Sequence, residues 1–112
     1  MPPESRKLLL DMLDAASSIL RFVQGKQAAE LQRDDLLRSA LYYQFVIVGE
    51  ALSQLRARDE LTFDQISENW RIIGFRNQII HGYGLIDHEI TWRIIERKVP
   101  VLISELQALL KQ

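Results

Sequence analysis

No cysteine occurs among the 112 residues, which excludes disulfides and thiolate metal sites. Histidine is scarce. With His81 and His88 alone, a zinc site would need several carboxylates beside them, and the sequence shows no such cluster. A dominant charge of one sign is also missing. The formal net charge is -1, so the field of the whole chain does not mark a nucleic-acid binder. Any grip on phosphate must come from a local group of arginines. The longest aliphatic-aromatic run, Phe45 to Val48, is far too short to span a bilayer. The opening Met1-Pro2-Pro3-Glu4 carries no apolar signal core. These absences predict a cytoplasmic protein without membrane contact, metal or cofactor.

What is present is ordinary globular composition, 47% hydrophobic and 26% charged. The length predicts one domain over residues 1–112, and a helical protein of this size often completes its burial by oligomerising. Strand signals are weak, and four helical stretches follow from the hydrophobic period. The first runs from about Glu4 to Gln24, with Leu9, Met12, Leu13, Ala16, Ile19, Leu20 and Val23 on one face and Gly25 as a stop. The second starts near Asp34 or Asp35, either of which can cap it, and runs to about Arg58. Its core face is Leu36, Leu37, Ala40, Leu41, Val48, Ala51, Leu52 and Leu55. The third runs from about Glu68 to His81, where Gly82 and Gly84 end it. The fourth runs from an N-cap at Asp87 towards Leu110 and is kinked or broken near Pro100. The expected fold is an all-α bundle of four to five helices.

The second helix is apolar beyond its core face. Tyr42, Val46 and Gly49 lie on its other side, and Gly49 costs helix stability relative to alanine. Gly49 therefore predicts close approach of another helix. A middle helix buried all round is one explanation, and a helix from a partner chain is the preferred one.

The third helix carries the chemistry: Trp70-Arg71-Ile72-Ile73-Gly74-Phe75-Arg76-Asn77-Gln78-Ile79-Ile80-His81-Gly82-Tyr83. At ~100° per residue, Ile72, Ile73, Phe75, Ile79 and Ile80 form an apolar stripe with Arg76 at its centre. An unpaired charge there is costly to bury. Two roles fit. Arg76 pairs with a carboxylate, for which Glu50 is the candidate, or it waits in a shared cleft for an anion. An acidic partner holding the arginine ready makes the two compatible. His81 lies ~140° round the axis from Arg76, with Asn77 at i−4 placed to orient its ring. A histidine at a helix C-terminus suits proton transfer.

The segment Arg76-Asn77-Gln78-Ile79-Ile80-His81-Gly82-Tyr83 resembles the R-x4-H-x-Y signature of HepT-like toxins, a branch of the HEPN superfamily. The Gly49-Glu50-Ala51 step and the Trp92 to Pro100 ending are similar to that family as well. The resemblance covers nearly the whole chain. It implies a HEPN-type homodimer that brings two motifs together in an interface cleft, and a metal-independent endoribonuclease acting as the toxin of a toxin–antitoxin pair. Arg76 and His81 are then catalytic, and Asn77 and Glu50 support them. It also implies a neighbouring antitoxin of the minimal nucleotidyltransferase (MntA-like) type, which adds AMP to Tyr83.

The residues fit RNA cleavage. RNA supplies the 2′-OH nucleophile, Arg76 offers forked hydrogen bonds to phosphate oxygens, and His81 moves protons. One motif histidine per chain means that acid and base roles need both subunits or a helper. A different reading keeps the same residues but no cleavage: a nucleotide- or substrate-binding helical subunit partnering a nucleotidyltransferase. The remaining residues read plainly. His88 is expected exposed in a helix's first turn, Trp70 and Trp92 as packing, and Tyr42 and Tyr43 as interface or core. Arg71, Arg93, Arg97 and Lys98 are expected solvated, with some tracking an RNA backbone.

Overall fold

The computed structural model describes residues 1–112, with the side chain of Tyr83 outside the described set. The described elements are seven α-helices: α1 (Pro3–Val23), α2 (Ala28–Arg33), α3 (Asp35–Arg58), α4 (Glu60–Phe63), α5 (Asn69–His81), α6 (His88–Arg97) and α7 (Val99–Leu110). A 3-10 turn, Tyr83–Leu85, links α5 to α6. The chain is an all-α, HEPN-type bundle.

The helix boundaries have local causes. Gly25 takes φ +74° beyond the end of α1, a left-handed conformation that glycine adopts without a Cβ penalty. Asp34, rather than Asp35, caps α3: its Oδ1 accepts from the Leu37 N–H at 3.0 Å. Asp87 caps α6, accepting from the N–H groups of Glu89 and Ile90. The long fourth stretch breaks at Lys98, and Pro100 falls in the first turn of α7, where its missing N–H has no intrahelical partner to lose. Glu68 precedes α5 at φ 57°, and its Oε1 meets Lys98 Nζ at 3.2 Å. The short helices α2 and α4 were not expected, because pieces of six and four residues are too brief to show a period.

One apolar core fills the bundle. Leu9, Met12, Ala16 and Ile19 of α1 face Leu41, Val48, Leu52 and Leu55 of α3, and Ile95 and Leu106 close it from α6 and α7. Phe45 joins that core though the period did not place it there, and Leu36 leaves it. Leu36 is 79% exposed, because it sits ~100° round the axis from Leu37, off the buried stripe. In packing order the helices run α5, α3, α1, α7, α6, and α5 scarcely touches α6 or α7. The unclosed side leaves a groove of about 530 Å³ lined by Ile72, Phe75, Ile90, Ile94, Val101 and Leu102, with Phe45 and Val48 at its floor.

A polar clasp holds the start of α6 against α3. The Tyr42 hydroxyl lies 2.7 Å from His88 Nδ1 and 2.9 Å from the Oγ1 of fully buried Thr91. This corrects the expectation of an exposed His88: the residue is half-buried, because Asp87 and Thr91 turn the first turn of α6 onto Tyr42. Burial pushes the His88 ring below the ordinary histidine pKa, the Arg38 charge adds to that, and Asp87 opposes it. Burial likewise raises the Tyr42 phenol.

A histidine whose folded pKa is depressed binds its proton more readily in the unfolded chain. Its contribution to stability is complete above the unfolded value and is lost as pH falls towards the folded one. Urea unfolding at pH 7.5 and pH 5.5 should therefore show the wild type weakening at the lower pH. His88→Gln should narrow that difference, and an unchanged difference would contradict the clasp.

Candidate active site

α5 lies against α3 closely enough that a side chain on either helix decides what fits on the other. At Gly49 the fit is extreme. A Cβ built there would stand 2.3 Å from the Arg76 Cβ and 2.6 Å from its Cγ. Gly49 thus makes room for the stem of Arg76 within the same chain. The packing helix is α5, not one from a partner chain, and this corrects the preferred expectation for Gly49.

With its stem held, Arg76 directs its guanidinium to the edge of the helix pair. Nη2 forms an ion pair with Glu50 Oε2. Nη1 donates to Asn77 Oδ1 at 2.8 Å. Gln54 Nε2, one turn along α3, lies 3.4 Å from Glu50 Oε1 and fixes the carboxylate from its other side. The Arg76 side chain is 24% exposed and that of Glu50 is 48% exposed, so the pair straddles the surface. Arg76 Nε is buried and has no hydrogen-bond partner among the described residues. Two of the five guanidinium N–H groups are thus engaged, one on each terminal nitrogen.

The expected residues are only partly gathered. Arg76, Glu50 and Asn77 form one cluster. Asn77 serves the arginine and not His81, since a bond from a cationic donor is the stronger choice for its amide oxygen. His81 is exposed at the end of α5, and no hydrogen bond to its ring occurs among the described residues. The helix geometry sets it ~140° and ~7.5 Å from Arg76. Tyr83 begins the turn after Gly82, and Leu85 N–H closes that turn onto Gly82 O at 2.8 Å. The expected modification falls on the Tyr83 side chain, which lies outside the described residues.

Three contributions went unseen in the sequence. Gln54 had a signal in its i, i+4 spacing from Glu50. The Tyr42–His88–Thr91 clasp had none, because its members lie 46 and 49 positions apart. Trp70, expected to pack, keeps 57% of its surface exposed.

A furrow of about 790 Å³ runs between α1 and α3 up to Glu50, and Glu4, Asp11 and Asp14 outnumber Lys7 and Arg58 on its walls. Among the described residues no group of three or more His, Asp or Glu is arranged to hold a metal ion. No helix there is long and apolar enough to cross a membrane.

Comparison with known proteins places the chain in a family. The family described as "Ribonuclease HepT-like" matches residues 12–109. "Putative RNase MJ1380" of Methanocaldococcus jannaschii is 26% identical, over 91% of this chain and 93% of the relative. "Putative RNase MJ0127" of the same organism is 28% identical, over 95% and 87%. "Putative RNase TTE0752" of Caldanaerobacter subterraneus subsp. tengcongensis is 24% identical, over 96% and 95%. No solved structure matches.

The contact at Gly49 yields a prediction with its own control. Alanine is worth about 1 kcal/mol over glycine inside a helix. At the exposed Gly74, where an added Cβ meets nothing within 4 Å, Gly74→Ala should stabilise by roughly 0.5–1 kcal/mol. Gly49→Ala should instead destabilise by about 1–3 kcal/mol, because the Arg76 Cβ is fixed to its backbone and the helices must part. Chemical denaturation of the two variants measures both signs.

Proposed function

The chain belongs to the HepT-like ribonuclease family, and on that footing we propose that it is a metal-independent endoribonuclease acting as a homodimer, the toxin of a toxin–antitoxin pair. The observation that carries the reading is Arg76: a partly exposed guanidinium held at the edge of α5 by Glu50 and Asn77, with terminal N–H groups left over for a ligand. Such a group binds the phosphodiester oxygens and offsets the charge that grows on them.

The ribose 2′-OH attacks the adjacent phosphorus in line. Its proton passes to the neutral imidazole of His81 acting as base. The P–O5′ bond breaks, and the leaving oxygen takes a proton from a second, protonated imidazole. The products are a 2′,3′-cyclic phosphate and a 5′-hydroxyl. Two-fold symmetry brings the second His81 from the partner. A second copy suits the open apolar groove beside α5, whose lining exposes Ile90 and Val101. The cytoplasm is where such a dimer meets its RNA.

One observation favours a second reading. The His81 ring has no orienting hydrogen bond among the described residues, as suits a subunit that holds a nucleotide or substrate for a partner nucleotidyltransferase without cleaving it. An RNA cleavage assay in EDTA separates the two. The wild type should cleave. His81→Ala should lose about 10²–10⁴-fold, and Arg76→Ala should lose activity comparably, with helicity and dimer mass retained. A wild type that is inactive, active only with added metal, or monomeric by light scattering at micromolar concentration would refute the corresponding part of the proposal.

Control is proposed to act at Tyr83, two residues after His81 and between Gly82 and Gly84. A minimal nucleotidyltransferase of the MntA-like type adds AMP to the phenol, placing an anion where the phosphate of RNA would sit. Co-expression should produce a modified, non-toxic protein, and Tyr83→Phe should stay toxic. Mass spectrometry finding unmodified Tyr83 in a neutralised protein would show that the antitoxin acts by occlusion instead.

A further inference from the structure

We propose that Trp70 and Arg56 form a nucleobase-stacking subsite for single-stranded RNA; the proposal rests on the ribonuclease reading and extends it away from the point of cleavage. Trp70 stands in the first turn of α5 with 57% of its surface open, although tryptophan is on average a highly buried residue. The ring is not loose. The buried Phe63 meets it at 5.6 Å and 78°, an edge contact that fixes its orientation from the core side. Arg56, in the last turn of α3, holds its guanidinium carbon 4.5 Å from the centre of the indole. No carboxylate lies within ion-pairing distance of Arg56 among the described residues. A flat ring anchored from below is thus overlaid by a cation whose charge is not neutralised, and the outer face of that guanidinium is the platform left for a base.

That combination fits a nucleotide better than it fits packing. A guanidinium plane backed by an indole stacks on any base with its outer face while its edge donates to phosphate. The other tryptophan, Trp92, is buried, so the exposed one is not a general feature of this fold's interior. Exposed leucines such as Leu36 and Leu61 are scattered singly and need no such account. Trp70 lies six residues before Arg76 on the same helix, ~9 Å along the axis and about a third of a turn round it. A strand with one phosphate at Arg76 reaches the indole within a few nucleotides. Bases stacked inside a duplex are not free to do so, which makes single-stranded RNA the ligand.

The test uses the full-length protein and a fluorescent single-stranded oligoadenylate, with His81→Ala as background to prevent cleavage. Bound RNA should shield the indole emission from acrylamide, and because Trp92 is buried the change reports Trp70. Trp70→Ala should weaken binding about tenfold, while Trp70→Tyr keeps most of the affinity. Arg56→Ala should lower the slope of log affinity against log salt by about one. The shielding measurement needs no change at Trp70, so a poorly folding alanine variant does not decide the matter. Unshielded emission in saturated complexes, or equal affinity of a folded Trp70→Ala, would overturn the subsite and leave the ribonuclease reading intact. A wild type that neither binds nor cleaves the oligonucleotide would remove both.

Discussion

The approach of α5 to α3 at Gly49 sets where the side chains of Arg76, Glu50, Asn77 and Gln54 meet. Because no Cβ stands there, the stem of Arg76 lies against the α3 backbone, and its guanidinium emerges beside Glu50. The ion pair alone contributes little to stability, since half of Glu50 is in water. Its effect is positional. Removing the carboxylate would leave a partly desolvated cation with only Asn77 as partner. Gln54 and Asn77 brace the pair from either end, so the arrangement is a short chain of charge-assisted bonds laid across two helices.

The same contact explains why the bundle is open on one side. α5 is committed to α3 and leaves α6 and α7 to pack elsewhere. The aromatic rings fill part of the difference: Phe75 meets Phe45 edge-on at 5.1 Å, and Tyr42 lies 6.4 Å from Phe75. Tyr42 then reaches across to His88, so the wedge between α5 and α6 has apolar walls and a polar tie near the start of α6. A wedge of this shape suits a helix from outside the chain, which is why the dimer proposal attaches to it.

The sequence was most legible where period and caps agreed. The long helices, the break before Pro100 and the caps at Asp34 and Asp87 all follow from local rules that packing did not overturn. The Arg76–Glu50 pair was legible too, because a charge centred on an apolar stripe demands a partner. Other features were not. Leu36 satisfied the pattern but lay beyond the cover of any neighbour. Asn77 could serve either Arg76 or His81 on spacing alone, and charge decided between them. His88 became a clasp only because α6 folds back over α3, which no short-range signal encodes. Gly49 announced a close contact correctly, but not that the neighbour belongs to its own chain.

On the proposed function, the Arg76–Glu50 pair would make the site an ion exchanger. An incoming oxyanion that claims both ends of the guanidinium fork must first release the carboxylate, so its affinity is the difference between two attractions and not the whole of one. Glu50, the more exposed of the two, turns towards water as it leaves and regains hydration there. A small free anion gains little from this trade. A polymer held at several points along the surface can complete it, and the pair then sorts ligands by length before any chemistry begins.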